Sequence, residues 1–290
     1  MPTNSMAGAR PVVWPKGEPE QFVDIDGQRF TYVEAGTDAP ALLLVHGSTS
    51  DYRSWQHQVR PFAARFRTVA ISLRHCYPEQ WDGIGDDFTV EQHAEDLAAF
   101  IDRRRLGAIH VAGHSRGGAV ALVLALRRPG LVRTLVLADP GGLDGLLPDT
   151  PEGARMAGET AQMFARLRAN LANADHETAA REFVDALNGP GTWNRRTPEQ
   201  RQLVLDNIET GPACAQRPSF TTAEIASLAI PVLLLTGARS PARYAPLLAA
   251  TRSANPRVAP VVSIPDAAHA MHRDNPAAFN TAVLDFLARH

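Results

Sequence analysis

The stretch whose reading decides the fold is Val111-Ala112-Gly113-His114-Ser115-Arg116-Gly117-Gly118. An apolar run, Ala108 to Ala112, leads into it, and a Leu-rich run of small residues, Ala119 to Leu126, leads out. Read outward from Ser115, this predicts a strand, a very tight turn and a helix, with a serine at the apex. The glycines at 113 and 117 have a physical reason. An apex residue of this kind is held in a strained backbone conformation so that its side chain projects beyond the sheet. The residues two before and two after it then crowd together and must lack bulk. The backbone N–H of Arg116 opens the helix, where unpaired N–H groups and the helix dipole favour negative charge.

The same alternation continues on both sides. Ala41–Val45 is a short continuous apolar run, as expected of a strand buried on both faces, and Arg67–Leu73 and Leu131–Ala138 read as further strands of the sheet. Between them, residues 56–65 and 90–104 read as helices, the second with Thr89 as N-cap. Residues 21–36 alternate around Asp26-Gly27 and read as a hairpin. Strand alternating with helix predicts an α/β fold with a doubly wound, mostly parallel sheet. The pattern breaks near Gly142. From there to about Leu228 the chain is helix-forming, with breakers at Gly189-Pro190-Gly191 and Gly211-Pro212. It resumes with apolar runs at 231–236 and 258–264 and a closing helix from Asn275-Pro276. The expected layout is a flexible N-terminal arm over 1–19, a core formed by 20–141 and 229–290, and a helical cap over 142–228 inserted after the sixth strand.

Three motifs carry a resemblance. Gly113-x-Ser115-x-Gly117 lies between a strand and a helix, His46-Gly47 lies about seventy residues upstream of it, and the run from Ile264 to Pro276 holds His269 after the last strand. Together they resemble the nucleophile elbow, oxyanion loop and C-terminal signature of the α/β-hydrolase-fold serine hydrolases, over roughly residues 20 to 290. The resemblance implies that Ser115 is the nucleophile and His269 the base, with His272 its competitor. It also implies that the backbone N–H groups of Ser48 and Arg116 form the oxyanion hole.

The third member of the expected triad departs from the family pattern. Relatives carry Asp in a Gly-x-x-Asp sequence after the strand that resumes the sheet, and here the sequence is Gly237-Ala238-Arg239-Ser240. A serine cannot carry the charge that stabilises an imidazolium. Either the acid has moved to the end of the preceding strand, at Asp139, or the chain works with a Ser-His dyad or is inactive. Asp139 is the preferred acid; Asp266 stands too near His269 in the chain. Substitution of Asp139 by Asn is then expected to be costly, and of Ser240 by Ala nearly neutral.

Loops after the strands build the ligand crevice in such sheets. His46, Gly47 and His114 are therefore pocket candidates, although the ring of His46 suits a loop-pinning hydrogen bond equally well. After Arg74 the chain carries a bulky segment in which His75, Tyr77 and Trp81 are further candidates. From the cap, Met163, Phe164, Phe183 and Trp193 are candidates or cap core. His93 and Glu95 read as solvent or hinge groups.

Composition bounds the partners. The 290 residues carry a net charge of −2, with 44% hydrophobic and 21% charged residues, and the pI is about 6.6. No pull toward nucleic acid or an anionic membrane is visible. The two cysteines, Cys76 and Cys214, form no disulfide framework, so a cytoplasmic setting is the default. No metal-ligand spacing and no cofactor fingerprint are found. The expected partner is a small ester or lactone. Carbon–carbon bond hydrolysis, a cofactor-free lyase or oxygenase, and a non-catalytic ligand-binding protein of the same fold remain open, because fold alone does not choose among them.

Overall fold

The computed structural model describes residues 18–36 and 40–290. The expected arm over 1–19 lies outside these except for Glu18 and Pro19. Among the described residues eight strands form one sheet. They are β1 (Glu20–Ile25), β2 (Gln28–Ala35), β3 (Ala41–Val45), β4 (Arg67–Ile71), β5 (Ile109–His114), β6 (Val132–Ala138), β7 (Val232–Gly237) and β8 (Val262–Ile264). Their order is β1-β2-β4-β3-β5-β6-β7-β8. The first two pairings are antiparallel and the rest parallel. The hairpin turns at Asp26 and Gly27, both with positive φ (49° and 85°), the twist that suits a two-residue turn.

The helices are α1 (Val59–Ala63), α2 (Val90–Arg103), α3 (Arg116–Arg127), α4 (Pro151–Ala172), α5 (His176–Asn188), α6 (Thr192–Arg195), α7 (Pro198–Leu205), α8 (Thr222–Ser227), α9 (Tyr244–Ala254), α10 (Met271–Asp274) and α11 (Pro276–Leu287). Alternation along the strands sorts the core into two layers. Leu43, Val45, Val111 and Leu137 face α2, α3 and α9, whereas Leu42, Leu44, Ala112 and Val136 face α1 and α11. Each such Leu or Val, wholly removed from water, contributes roughly 1.5–3 kcal/mol before the entropy of ordering it is counted.

Two elements differ from expectation. Of the helix read over 56–65 only the short α1 forms, and a 3-10 turn at Tyr52–Trp55 precedes it. Pro61 has no N–H for the carbonyl four residues back, so it is tolerated only in a first turn. Asp51 accepts from the N–H of Arg53 and draws the preceding segment into its own turn. The last strand is shorter than 258–264. Pro260 cannot donate to the ladder, and Val258 makes only an isolated bridge to Val232 before β8 begins.

Thr89 caps α2, accepting from the N–H of Gln92 at 3.0 Å. His93, expected near solvent, is instead fully buried edge-on to Phe88. It lies on the same face as Leu97 and Phe100, which the strong amphipathicity of α2 turns inward. Glu95 is half exposed beside Arg127 and Arg128.

Between β6 and β7 run α4 to α8. Thr150, Asp175, Thr197 and Thr221 each cap one of them with a side-chain oxygen. This helical layer is tied to the sheet through Asp51. Its carboxylate holds Arg53 in a two-pronged pair (2.9 and 2.7 Å) and accepts from Asn207 Nδ2 at 2.6 Å, while Arg53 also reaches Asp206 at 2.7 Å.

Candidate active site

The register of the parallel strands brings the expected residues to one edge. His114 pairs with Ala138, Ala138 with Leu235, and Gly237 with Ile264. Ser115 and Asp139 therefore emerge side by side at the carboxyl ends of β5 and β6. The Ser115 N–H donates to Ala138 O at 2.9 Å, and the Asp139 N–H to Leu235 O at 2.9 Å.

Ser115 has φ 52° and ψ −118°, a sharp apex between β5 and α3. Its carbonyl accepts from the N–H groups of Gly118 (2.9 Å) and Gly141 (2.8 Å), which fix the turn. A Cβ on Gly113 would run into the carbonyl of Gly117, and one on Gly117 into the carbonyl of Val45. Gly47 lies against the apex: a Cβ there would stand 2.9 Å from His114 Nδ1 and 3.1 Å from the Ser115 Cβ. Among the described residues, neither the Ser48 nor the Arg116 backbone N–H has a hydrogen-bond acceptor.

Asp139 Oδ2 accepts from His269 Nδ1 at 3.1 Å and from Ser240 Oγ at 2.6 Å. Ser240 Oγ in turn accepts from the N–H of Gly237 at 3.0 Å. The carboxyl is wholly buried, and burial pushes its pKa up, with the hydroxyls of Ser240 and Thr236 opposing. Burial also pulls His269 down, with the charges of Arg243 and Arg273 adding to it, so the imidazole is neutral at pH 7. A neutral ring whose Nδ1–H is spent on a carboxylate presents Nε2 as a proton acceptor. The ring stacks on Tyr244 (5.4 Å between centroids), and the His269 carbonyl accepts from His114 Nε2 at 2.8 Å. Asp274 and Asn188 hold the loop on either side, accepting from the N–H groups of Ala268 and Ala270, both at 2.9 Å. Ser115 and His269 line one cavity, and among the described residues they are not hydrogen-bonded to each other.

Two cavities meet at Ser115. One is walled by Met163, Phe164, Phe183, Leu187 and Tyr244, with Arg217 and Arg243 also lining it. The other is bounded by Gly47, Ser48, Thr49, His114, His269, His272, Arg196 and Arg273.

Of the expected pocket residues, Gly47, His114, Met163, Phe164 and Phe183 border these cavities. Five others do not, and each has a physical reason. His46 is buried beneath the loop, its Nδ1–H given to Gly47 O (2.8 Å) and its Nε2 accepting from the Leu73 N–H (3.0 Å). His75 is held between Glu79 (2.9 Å) and Asp87 (2.7 Å) and stacked on Trp81 (4.8 Å), so the bulky segment folds onto itself. Tyr77 lies under the Arg53 guanidinium. Trp193 is buried in the helical layer, its Nε1–H on Glu177. His272, the rival base, does border the second cavity; it packs between Trp55 and His114, and both its ring nitrogens lack a partner among the described residues.

Sequence reasoning missed Ser240, Tyr244, Asn188, Arg196 and Arg273. Ser240 carried a signal: it stands where the Gly-x-x-Asp pattern expected from the resemblance would put the acid. Among the described residues no group of three or more His, Cys, Asp or Glu is gathered as a metal set. None of the described helices is long and apolar enough to cross a membrane.

Comparison with known proteins places this geometry. The chain is 35% identical over 126 residues to lipase LipV of Mycobacterium tuberculosis (43% of this chain, 45% of the lipase). It is 35% identical over 122 residues to the dihydrolipoyllysine-residue acetyltransferase component of the acetoin cleaving system of Cupriavidus necator (42% of this chain, 32% of that protein). These matches span less than half the length of either relative. A malate-bound esterase structure from Thermogutta terrifontis superposes with a TM-score of 0.73 at 25% identity, covering 93% of this chain and 98% of the esterase. An enol-lactonase from Burkholderia xenovorans has the same fold, with a TM-score of 0.71 at 18% identity over 92% of this chain and all of the lactonase (100%). The profile of the alpha/beta hydrolase family matches residues 42–282, and with the eight-stranded sheet and the Ser115 apex this makes the chain a member of the α/β-hydrolase family.

Proposed function

We propose that the protein is a serine hydrolase that cleaves a small carboxylic ester or lactone through an acyl-enzyme. Ser115 Oγ attacks the acyl carbon while His269 Nε2 takes its proton. The resulting oxyanion is met by the N–H groups of Ser48 and Arg116, aided by the N-terminus of α3. The imidazolium is stabilised through Nδ1 by the Asp139 carboxylate. His269 then gives the proton to the leaving oxygen. Water, deprotonated by His269, attacks the acyl-enzyme, and the acid departs as Ser115 regains its proton.

The observation that carries this reading is the position of Asp139 Oδ2, bonded at once to His269 Nδ1 and Ser240 Oγ. It supports a charge-stabilised histidine despite the missing acid after β7. A serine at the apex separates this chain from the epoxide-hydrolase branch, whose nucleophile is a carboxylate. The test is labelling with a fluorophosphonate, located by peptide mass spectrometry, beside Ser115→Ala. Label on Ser115 that is lost in the variant supports the reading. A folded protein that stays unlabelled by both a bulky and a small probe overturns it.

A further inference from the structure

The buried and partly buried arginines around the site have side-chain partners among the described residues, with two exceptions, both partly buried. Arg53 is paired with Asp51 and Asp206. Arg116 gives its guanidinium to the carbonyls of Gln216 (3.1 Å) and Phe88 (2.9 Å). Arg217 is paired with Asp144. Arg196 and Arg273 have no side-chain hydrogen bond or ion pair among the described residues, and Nη1 of Arg196 is buried without a partner. Both line the cavity that holds Ser115 and His269, and no Asp or Glu lines that cavity.

The acids whose charge reaches them, Asp274 and Asp185 at Arg196 and Asp274 and Asp51 at Arg273, have their hydrogen bonds elsewhere. Asp274 accepts from the Ala268 N–H, Asp185 from the N–H groups of Gly191 (2.9 Å) and Trp193 (2.8 Å), and Asp51 from Arg53 and Asn207. The remaining titratable lining, His114, His269 and His272, is kept neutral by burial. Burial pulls the pKa of Arg196 down to about 9, and the charge of Arg273 adds to the effect. A guanidinium keeps its proton at pH 7, so two partly buried ones that share a cavity without a counter-charge favour an anion between them.

We propose that the substrate carries an ionised carboxylate, bound between Arg196 and Arg273 in the cavity beside Ser115. The inference rests on the serine-hydrolase reading for the bond that is cleaved, and on the two arginines for the charge. The planar guanidinium fork matches a carboxylate in two-point geometry. Arg196 follows α6 in the helical layer and Arg273 lies on α10 of the core. A carboxylate between them joins the two parts of the protein across the reacting group. The predicted class is therefore a half-ester, or a lactone with a free acid.

The test compares mono(4-nitrophenyl) glutarate with its neutral methyl ester. Binding to Ser115→Ala is measured by calorimetry, and turnover is measured with the wild-type chain. The half-ester is expected to bind at least about 10-fold tighter than the neutral ester, about 1.4 kcal/mol. Arg196→Gln and Arg273→Gln, each in the Ser115→Ala background, should bring the ratio close to one. Arg273→Lys, which keeps the charge and loses the fork, should keep part of it. The ligand-free midpoint of thermal unfolding is expected to stay level or rise in Arg196→Gln; a merely structural arginine would lower it. Equal binding of the two esters, or a preference that survives both substitutions, overturns the proposal while leaving ester hydrolysis intact. A preference abolished by the substitutions, in a wild-type chain that turns over neither ester and takes no fluorophosphonate, keeps the carboxylate site and overturns the hydrolase.

Discussion

Ser240 Oγ and His269 Nδ1 meet on one oxygen, Asp139 Oδ2, at 2.6 and 3.1 Å. Ser240 stands where the Gly-x-x-Asp pattern would put the acid, and Asp139 reaches the same point from the neighbouring strand end. The sequence reading gave Ser240 no part; the structure makes it the hydroxyl that steadies the carboxylate. Asp139→Asn is expected to lower kcat by roughly 10³–10⁴-fold, as loss of the orienting acid does elsewhere. Ser240→Ala removes one hydrogen bond to a charged group, about 1.5–3 kcal/mol, and should lower kcat by about 10-fold or more. The exchange Asp139→Ser with Ser240→Asp is expected to recover part of what Asp139→Ser alone loses. Steady-state kinetics on one activated ester checks all three.

The turn at Ser115 depends on absent side chains. Gly117→Ala places a methyl group against the Val45 carbonyl, and Gly113→Ala places one against Gly117. The obstacles are backbone, so strand β3 or the turn itself must shift. Each substitution is expected to cost several kcal/mol. Gly27→Ala meets no atom within 4 Å and strains only φ, so it should cost about 1 kcal/mol. Urea unfolding of the three variants tests the ranking.

Stability should fall with acid from an unusually high pH. Burial lowers the pKa of His46 and His110 (each to about 4), His57, His93, His114, His269 and His272. In the unfolded chain each takes a proton near pH 6.5, whereas the native site refuses it. Stability is thus full above pH 6.5 and is lost as pH falls from there toward the folded values, by up to about 1.4 kcal/mol per unit per buried imidazole. Asp139, raised by burial, acts in the opposite sense, one carboxyl against seven rings. Thermal midpoints measured between pH 8 and 4.5 should drop steeply below 6.5. The acid limb of kcat/KM, set by His269, should lie below the ordinary histidine pKa.

The helical layer should loosen when its tie to the sheet is cut. Asn207 donates to Asp51 (2.6 Å) and accepts from the Tyr77 N–H (2.8 Å). Asn207→Ala leaves a buried carboxylate oxygen and a backbone N–H short of partners, costing about 1–3 kcal/mol for each. Limited proteolysis should then cut first within residues 143–228.

The motifs that were legible in the sequence are those fixed by local sterics. Gly113 and Gly117 reveal the apex because only glycine fits there, and the apolar run Ala41–Val45 reveals a strand covered on both faces. Asp139 could be chosen because parallel register makes adjacent strand ends neighbours. The pocket was less legible. His75, Tyr77 and Trp81 have pocket-lining chemistry, but Glu79, Asp87 and Arg53 claim them. Arg196 and Arg273 lie 77 positions apart in the numbering and only the folded helical layer brings them to one cavity. Their lack of acidic partners is a property of space that no spacing along the chain encodes.

Three non-glycine residues around the reacting centre have left-handed backbones: Thr49 (φ 49°), Ser115 (φ 52°) and Asp139 (φ 41°). Each costs on the order of 1 kcal/mol or more that a glycine there would not. Selection for a sturdier molecule and selection for a faster one therefore pull apart at these positions. Glycine at 49 would be the cheap route to a higher melting point, and it would slacken the loop beside Ser115; at 139 the side chain holds Ser240 and His269, so the strain there is kept. A chain evolving toward a binding role, freed from turnover, would be expected to relax at these three residues first.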